Sequence, residues 1–177
     1  MVPTNPEVTI RRAIPEDSAA IASILRGLGW FAHINSEPSA ETEARIARHM
    51  ALCSADLSHT VLVTENSAHK VVGYVSVHWL PYLMLLGPEG FISELFVLES
   101  ERGRGIGRML LDSVKKLAKQ RGCVRLHLVN GSNRESYQRR FYEKLGWKER
   151  PEIADFILSV TTRVTGSNNR RKTKGAR

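Results

Sequence analysis

Residues 102–108 form a glycine-rich turn whose composition suits the binding of a phosphate or another anion. They are Arg102, Gly103, Arg104, Gly105, Ile106, Gly107 and Arg108. The turn follows an apolar stretch and precedes one with helical apolar spacing, so its backbone N–H groups are predicted to lie unpaired at a helix N-terminus. Glycine lets phosphate oxygens approach the backbone, and the arginines add positive charge. Taken alone, the turn predicts either an anion site or a tight turn with solvated arginines.

Two other phosphate-binding motifs do not fit this turn. A P-loop requires Gly-Lys-Ser/Thr at its end, whereas Gly107 is followed by Arg108 and Met109. A dinucleotide-binding fingerprint requires G-x-G-x-x-G and an acid about twenty residues later. Here the turn reads G-x-G-x-G, and Arg125 and its neighbours are not acidic. The spacing therefore argues against a nucleoside triphosphatase and against a nicotinamide-dependent enzyme.

The turn and its surroundings resemble the GNAT superfamily of N-acetyltransferases. Arg102, Gly105 and Gly107 match its motif A, R/Q-x-x-G-x-G/A. Residues 94–97, Glu-Leu-Phe-Val, are similar to the family's fourth strand, and residues 141–147 are similar to its F-Y-x-K-x-G-F/W signature. The resemblance implies an α/β protein with the GNAT-like acyl-CoA N-acyltransferase fold. In that fold a central mixed sheet is flanked by helices, and its fourth and fifth strands splay apart.

The resemblance also implies how acetyl-CoA is held. The pantetheine arm would lie between the fourth and fifth strands and pair with the backbone of the fourth. The backbone concerned belongs to Leu95, Phe96 and Val97. The main-chain amides of residues 102–108 would hold the pyrophosphate. The family often has an asparagine contact where this sequence has Glu135, so Asn133 is the expected cofactor contact in its place, and Asn130 lies further back.

Acetyl transfer makes specific demands on the residues around the cofactor. The reaction needs a neutral amine, a partner for the oxyanion that forms, and a proton for the departing thiolate. A lysine-like amine with a pKa of about 10.4 is mostly protonated at pH 7, and its deprotonation costs roughly 4–5 kcal/mol unless a base assists.

Two residues are candidates for these proton transfers. Tyr142 matches the family tyrosine near the CoA sulfur, which implies a general acid, and the alternative is an ordinary helix aromatic. Because Phe141 already shares an apolar stripe with Tyr137 and Leu145, Tyr142 is turned by about 100° and can face a cleft. Glu94 is an acid in an otherwise apolar strand. It is open whether Glu94 is a base, as in some family members, or a salt-bridged or edge-facing acid.

The resemblance therefore implies an acyltransferase that moves the acetyl group of acetyl-CoA to a primary amine by direct attack in a ternary complex. No cysteine or serine lies in an obvious nucleophile motif, and His33 and His49 have no spacing partner that indicates a metal. The alternative is a noncatalytic acyl-CoA-binding or regulatory module on the same fold. The acceptor, a small molecule or a protein amine, stays open. Five residues are candidates for lining its pocket: Trp30, Phe31, His78, Trp79 and Tyr82.

Apolar spacing predicts the elements that must position these residues. Strands are predicted over residues 8–13, 60–65, 71–78, 91–98 and 124–129, with further strand material over 147–160. A first helix is predicted after the turn at residues 15–17, with an apolar face that includes Ile21 and Leu28, and further helices are predicted over residues 39–53, 105–119 and 136–145. Strands joined by helices in the second half imply a parallel pair within a mixed sheet.

Composition predicts one domain followed by a basic tail. The 177 residues, 42% of them hydrophobic, suffice for one core. Residues 1–161 are predicted to form the GNAT-like domain, and residues 162–177 a disordered tail with little to bury. Six of the eight net positive charges lie in this tail, so the body is nearly neutral. This distribution favours a solubilising tail over an arm that binds nucleic acid or a membrane.

Cysteine usage and hydropathy indicate the cellular compartment in which the protein is expected. Cys53 and Cys123 each lie within an apolar pattern, which indicates neither a disulfide framework nor a zinc cluster. No apolar run approaches the length of a membrane span, and the first residues lack the features of a secretory signal. A cytoplasmic protein without a membrane partner is therefore expected. A homodimer is one oligomeric state that the sequence leaves open.

Overall fold

A computed structural model describes residues 7–158 and residue 160 of the chain. Within them, five strands form one sheet in the spatial order β1-β2-β3-β4-β5. The strands are β1 (Val8–Arg12), β2 (His59–Asn66), β3 (Val71–Leu80), β4 (Glu89–Val97) and β5 (Arg125–Leu128). Neighbouring strands are antiparallel from β1 to β4, whereas β4 and β5 are parallel. This mixed sheet confirms the predicted α/β fold class.

Helices cover both faces of the sheet. They are α1 (Ser18–Leu28), α2 (Ala32–Ser36), α3 (Ser39–Ser54), α4 (Ile106–Gln120) and α5 (Glu135–Gln138), with 3₁₀ turns at Pro15–Asp17, Glu99–Glu101 and Glu143–Leu145. On one face, called here the α1/α3 face, Ile21 and Ile46 join a core with Tyr74 of β3. On the other, Leu110 of α4 packs with Val75 of β3. Each face therefore has its own apolar core.

The parallel pair at the edge of the sheet is short, and the two strands then part. Residues Glu89–Ile92 of β4 pair with all of β5, after which β4 continues to Val97 and β5 ends. The pair is anchored by Glu89, which is 1% exposed and forms an ion pair with Arg125. The predicted splay of the fourth and fifth strands is therefore confirmed.

A β-bulge in β4 changes which side chains face the α1/α3 face. The register with β3 shifts so that Ser76 lies opposite Glu94, whereas Val77 lies opposite Ile92. Ser93 is thus the extra residue, and a bulge of this kind interrupts the strict alternation of side chains. Ser93 contacts His78, and Glu94 lies beside the Tyr74 hydroxyl. The side chains of Ser93 and Glu94 therefore both lie on the α1/α3 face.

The helix predicted over residues 136–145 is wrong in its extent. Helix α5 ends at Gln138, and a separate 3₁₀ turn covers Glu143–Leu145. Between them Arg140 has a φ of 55°, a left-handed conformation that interrupts the helical hydrogen-bond ladder. The apolar stripe that suggested one helix instead belongs to two short turns.

The strand material predicted over residues 147–160 is also wrong for the part that the structure describes. Residues 147–158 contain no strand, and Phe156, Ile157 and Leu158 are exposed. Apolar alternation alone does not make a strand, because the backbone groups of an extended segment must also find a partner. The predicted tail over residues 162–177 lies outside the described residues.

Gly90 of β4 permits the close approach of β5. A Cβ atom at this position would lie 2.5 Å from Cδ2 of Leu126 and 2.9 Å from Cζ3 of Trp79. We expect Gly90→Ala to lower the free energy of unfolding by roughly 1–3 kcal/mol, the usual cost of overpacking. The control is Gly27→Ala in α1, where a Cβ meets nothing within 4 Å and should be neutral or stabilising. Denaturant titration compares the two, and equal stabilities would contradict the expectation.

Candidate active site

A cleft of about 520 Å³ opens where β4 and β5 part. Its walls come from the second half of β4, the turn before α4, the chain after β5 and the connection between α1 and α2. Beyond Ile92 the cleft-facing edge of β4 has no strand partner among the described residues, so its backbone groups are free to pair with an extended ligand. The cleft lining includes Leu95, Phe96 and Val97.

The glycine-rich turn forms one end of the cleft. Gly103 and Gly105 have φ angles of 77° and 83°, which favour glycine, and a Cβ on either would meet nothing within 4 Å. No backbone N–H from Gly103 to Arg108 meets a protein acceptor in the described part of the chain. These free N–H groups at the start of α4, with open space above them, suit an anion such as a pyrophosphate.

The three arginines of the turn have different surroundings. Arg102 lines the cleft and donates from Nε to the Val97 carbonyl at 3.3 Å, and Arg108 lines it beside Gly107 and Ile106. Arg104 does not line the cleft, and its guanidinium forms an ion pair with Glu101, which does. Two of the three side chains therefore place positive charge at the cleft.

Tyr142 lies on the wall of the cleft opposite β4. Its ring packs edge-to-face on Phe141, with centroids 5.0 Å apart, and on Trp147 at 6.1 Å. Burial raises the pKa of the Tyr142 hydroxyl, and the nearby Arg139 charge only partly opposes this rise. The phenol is therefore protonated at neutral pH and can donate a proton to a group in the cleft.

Glu94 also lines the cleft, on the α1/α3 face of β4. Its carboxylate is open to the cleft but surrounded by protein atoms, and this desolvation raises its pKa. The Tyr74 hydroxyl opposes the rise, although it lies outside good hydrogen-bond geometry. None of the ion pairs among the described residues involves Glu94, so its charge stays available to a ligand.

The asparagine that lines the cleft is Asn130, whereas Asn133 does not. Asn130 Oδ1 accepts a hydrogen bond from Ser136 at 3.1 Å, and its buried Nδ2 has no partner among the described residues. The free Nδ2 therefore offers a donor to the cleft. Asn130 lies two residues after the end of β5, before the segment that carries Asn133.

An aromatic group closes the cleft on the α1/α3 side. Trp30 and Phe31, both expected near an acceptor, pack edge-to-face on Phe96 with centroids 5.8 and 6.4 Å away. The Arg134 guanidinium lies 3.7 Å from the Trp30 ring centroid and forms a cation–π contact across the cleft mouth. Sequence reasoning missed Arg134 and Ser93, because neither belongs to a motif.

Three further findings concern the described residues alone. They contain no group of three or more His, Cys, Asp or Glu side chains that could hold a metal ion. None of their helices has both the length and the apolar character needed to cross a membrane. A second groove of about 370 Å³ lies beyond β5, beside Trp147.

Known proteins resemble this chain in sequence and in structure. Glucosamine 6-phosphate N-acetyltransferase 1 of Oryza sativa subsp. japonica is 29% identical over 134 residues, which are 73% of this chain and 78% of that protein. The crystal structure of a transcriptional regulator from Bacillus halodurans C-125 superposes with a TM-score of 0.73 and 26% identity, over 85% of this chain and 99% of that one. Glucosamine-6-phosphate N-acetyltransferase of Arabidopsis thaliana shares the fold, with a TM-score of 0.64, 20% identity, and coverage of 87% and 97%.

The family model described as the acetyltransferase (GNAT) family matches residues 26–147. This match spans more than half of the chain, from α1 to Trp147. It includes both strands that splay and the turn that begins α4. The chain is therefore an acetyltransferase that belongs to the GNAT family.

Proposed function

We propose that the chain transfers the acetyl group of acetyl-CoA to a primary amine by direct attack within a ternary complex. The observation that carries this proposal is the meeting of three features in one cleft. They are the unpaired edge of β4, the free N–H groups of residues 103–108, and the two proton-transfer candidates Glu94 and Tyr142.

The groups that line the cleft suit the successive parts of the acetyl-CoA molecule, from the pyrophosphate to the pantetheine arm. The pyrophosphate would accept hydrogen bonds from the N–H groups of residues 103–108, beside Arg102 and Arg108. The amides of the pantetheine arm would pair with the free edge of β4 as an added strand does. The unpartnered Nδ2 of Asn130 supplies a further donor on the opposite wall.

Glu94 and Tyr142 would divide the proton transfers between them. Glu94 accepts a proton from the ammonium group of the acceptor, which frees the nitrogen lone pair to attack the thioester carbonyl carbon. Tyr142 donates its hydroxyl proton to the sulfur as the C–S bond breaks, and the tyrosinate then takes the second N–H proton from the nitrogen that has bonded to the acetyl carbon. The raised pKa of Tyr142 keeps this proton in place at neutral pH.

The cleft mouth supports an acceptor that carries an anionic group. Arg134 has no ion pair among the described residues, and it lies at the aromatic end of the cleft, on Trp30. A guanidinium in this position can bind a phosphate or carboxylate of the incoming amine. An amino sugar phosphate, the substrate named for the rice relative, is an acceptor of this class.

The experiment is to follow CoA-thiol release from acetyl-CoA with a panel of amines. Glucosamine 6-phosphate and glucosamine form a matched pair that differs in the phosphate, and lysine peptides and aminoglycosides complete the panel. We expect CoA release with at least one amine and faster release with the phosphorylated sugar. Acetyl-CoA binding without CoA release from any amine would instead favour a noncatalytic acyl-CoA-binding module. Equal rates for the two sugars would contradict the role of Arg134.

Gly105 tests the phosphate-binding turn. Gly105→Val places a branched side chain in the open space above the turn, so acetyl-CoA affinity should fall at least about tenfold. The measurement is the rise in melting temperature with acetyl-CoA, since a ligand at about 100 times its dissociation constant stabilises a fold by about 2.7 kcal/mol. Gly122→Val is the control, because Gly122 has a comparable φ of 67° and lies at the far end of α4. A full thermal shift in Gly105→Val would contradict the turn's role.

A further inference from the structure

The bulge in β4 brings a hydroxyl into the cleft beside Glu94. Ser93 and Glu94 are consecutive, and both line the cleft on the α1/α3 face. In a regular strand one of the two side chains would point into the α4 core instead. The bulge therefore places Ser93 next to the carboxylate that is the candidate base.

A histidine lies directly behind Ser93 and connects it to the outside of the protein. Ser93 Oγ and His78 Nε2 are 3.1 Å apart, and the His78 ring is half-buried. His78 belongs to β3, and its Nδ1 meets no hydrogen-bond partner among the described residues. His78 is partly exposed and does not line the cleft, so the two side chains reach from the cleft to solvent outside it.

A second histidine holds His78 in this position. The rings of His59 and His78 stack, with centroids 3.9 Å apart, and His59 Nε2 lies 2.6 Å from Ser76 Oγ. Phe91 packs on the other side of His78 with a centroid distance of 6.2 Å. The orientation of the His78 ring is therefore set by its neighbours on β2 and β4.

The stoichiometry of the proposed reaction requires an exit for one proton. An ammonium acceptor arrives with three N–H protons, and the amide product keeps one. One of the two lost protons ends on the CoA sulfur through Tyr142, and the other must reach solvent. Cofactor and acceptor fill the cleft during the reaction, so a protonated Glu94 cannot readily release its proton there.

We propose that Ser93 and His78 carry this proton from Glu94 to the solvent outside β3, a relay that rests on the proposed acetyl transfer. The carboxylic acid of Glu94 passes its proton to Ser93 Oγ, directly or through one water, as the Ser93 hydroxyl proton moves to His78 Nε2. His78 then releases its Nδ1 proton to water. Each step breaks one O–H or N–H bond and forms another, so Glu94 and Ser93 regain their starting states and His78 keeps a proton on Nε2. After the products leave, His78 Nδ1 takes a proton from water and Nε2 returns its proton through Ser93 to water in the open cleft, which restores the starting tautomer.

Burial favours the neutral form of His78 between turnovers. Burial lowers the pKa of His78, and burial together with His78 lowers the pKa of His59 to about 4, against the opposing effect of Asp56. The other titratable groups that face this pair are Cys53 of α3, 3.9 Å from His59, Glu94 of β4, and His127 of β5 across Phe91. A neutral His78 can accept a proton at pH 7 and then release it quickly.

The test compares steady-state kinetics of CoA release in Ser93→Ala, His78→Ala and the control His49→Ala, which alters an exposed histidine of α3. Ser93→Ala and His78→Ala should each lower kcat at least about tenfold with little change in KM, because proton transfer and not binding is impaired. Added imidazole should restore kcat in His78→Ala, and more basic imidazoles should restore it better. The same additive should not restore Ser93→Ala, in which the link to Glu94 is missing.

Every other outcome contradicts either the proton relay or the proposed acetyl transfer on which the relay rests. Wild-type kcat in both variants, with Glu94→Gln impaired, would overturn the relay and leave the acetyl transfer standing. A fall in kcat of His78→Ala that imidazole does not restore would mean a structural role for the ring. If His78→Ala does not fold, the kcat of Ser93→Ala alone tests the relay. The rise in melting temperature of Ser93→Ala with acetyl-CoA then shows whether that variant is folded. No CoA release by the wild type with any amine would instead remove the proposed function.

Discussion

Replacing Tyr142 with phenylalanine is expected to lower turnover by about 10²–10⁴, the usual contribution of a positioned general acid, while acetyl-CoA binding persists. The substitution keeps the ring that packs on Phe141 and Trp147 and removes only the hydroxyl. Without that hydroxyl the thiolate must leave unprotonated or take its proton from water. Initial rates of CoA release and the acetyl-CoA thermal shift measure the two effects separately.

The pH dependence identifies the group that Tyr142 supplies. Because its pKa is raised, the hydroxyl stays protonated to a higher pH than an ordinary tyrosine, and the wild-type rate should decline only above about pH 10. Tyr142→Phe should lose this alkaline limb. The control Tyr82→Phe, at an exposed tyrosine of the β3–β4 connection, should keep both the rate and the limb. Equal rates for wild type and Tyr142→Phe at neutral pH would exclude an acid role.

Replacing Glu94 with glutamine is expected to lower turnover at neutral pH by a similar factor of about 10²–10⁴, because the amine then has no base. Only the ionised carboxylate can accept a proton, and desolvation raises its pKa. The wild-type rate should therefore fall as pH drops through a value above the ordinary range of glutamate. Glu94→Gln should lack this acid limb and recover at alkaline pH, where the amine is neutral without assistance.

Glu94→Gln should also change stability in a definite direction. A carboxyl group with a raised pKa binds protons more tightly in the folded state, so its ionisation destabilises the fold as pH rises through that pKa. The variant should consequently melt at a higher temperature than the wild type at pH 7. Glu41→Gln, at an exposed acid of α3, is the control and should change neither rate nor melting temperature. An active, less stable Glu94→Gln would contradict the assignment of Glu94.

Elements with strong local patterns could be predicted from the sequence. Helix α4 was predicted over residues 105–119 and spans Ile106–Gln120, because its apolar stripe and the glycines before it leave few alternatives. Strands β2 and β3 were predicted over residues 60–65 and 71–78 because both segments are rich in β-branched residues, and they span His59–Asn66 and Val71–Leu80. The glycine-rich turn also depends on local sequence alone, and it lies directly before α4 as predicted.

Features that depend on pairing between distant residues could not be predicted. The bulge at Ser93 arises from the register between β3 and β4, and no residue type near it signals an extra residue. The contact between Ser93 and His78 depends on that register. Similarly, Asn130 faces the cleft because β5 ends just before it. The number of residues between an asparagine and Tyr142 does not reveal where β5 ends.

A crystal structure of the chain with CoA tests the central claim most directly. We expect the pantetheine arm between β4 and β5, with its amides paired to the backbone of residues 95–97 and the pyrophosphate on the N–H groups of residues 103–108. The sulfur should then lie within reach of the Tyr142 hydroxyl. CoA bound instead in the groove beyond β5, beside Trp147, with the turn before α4 free of phosphate, would contradict the account.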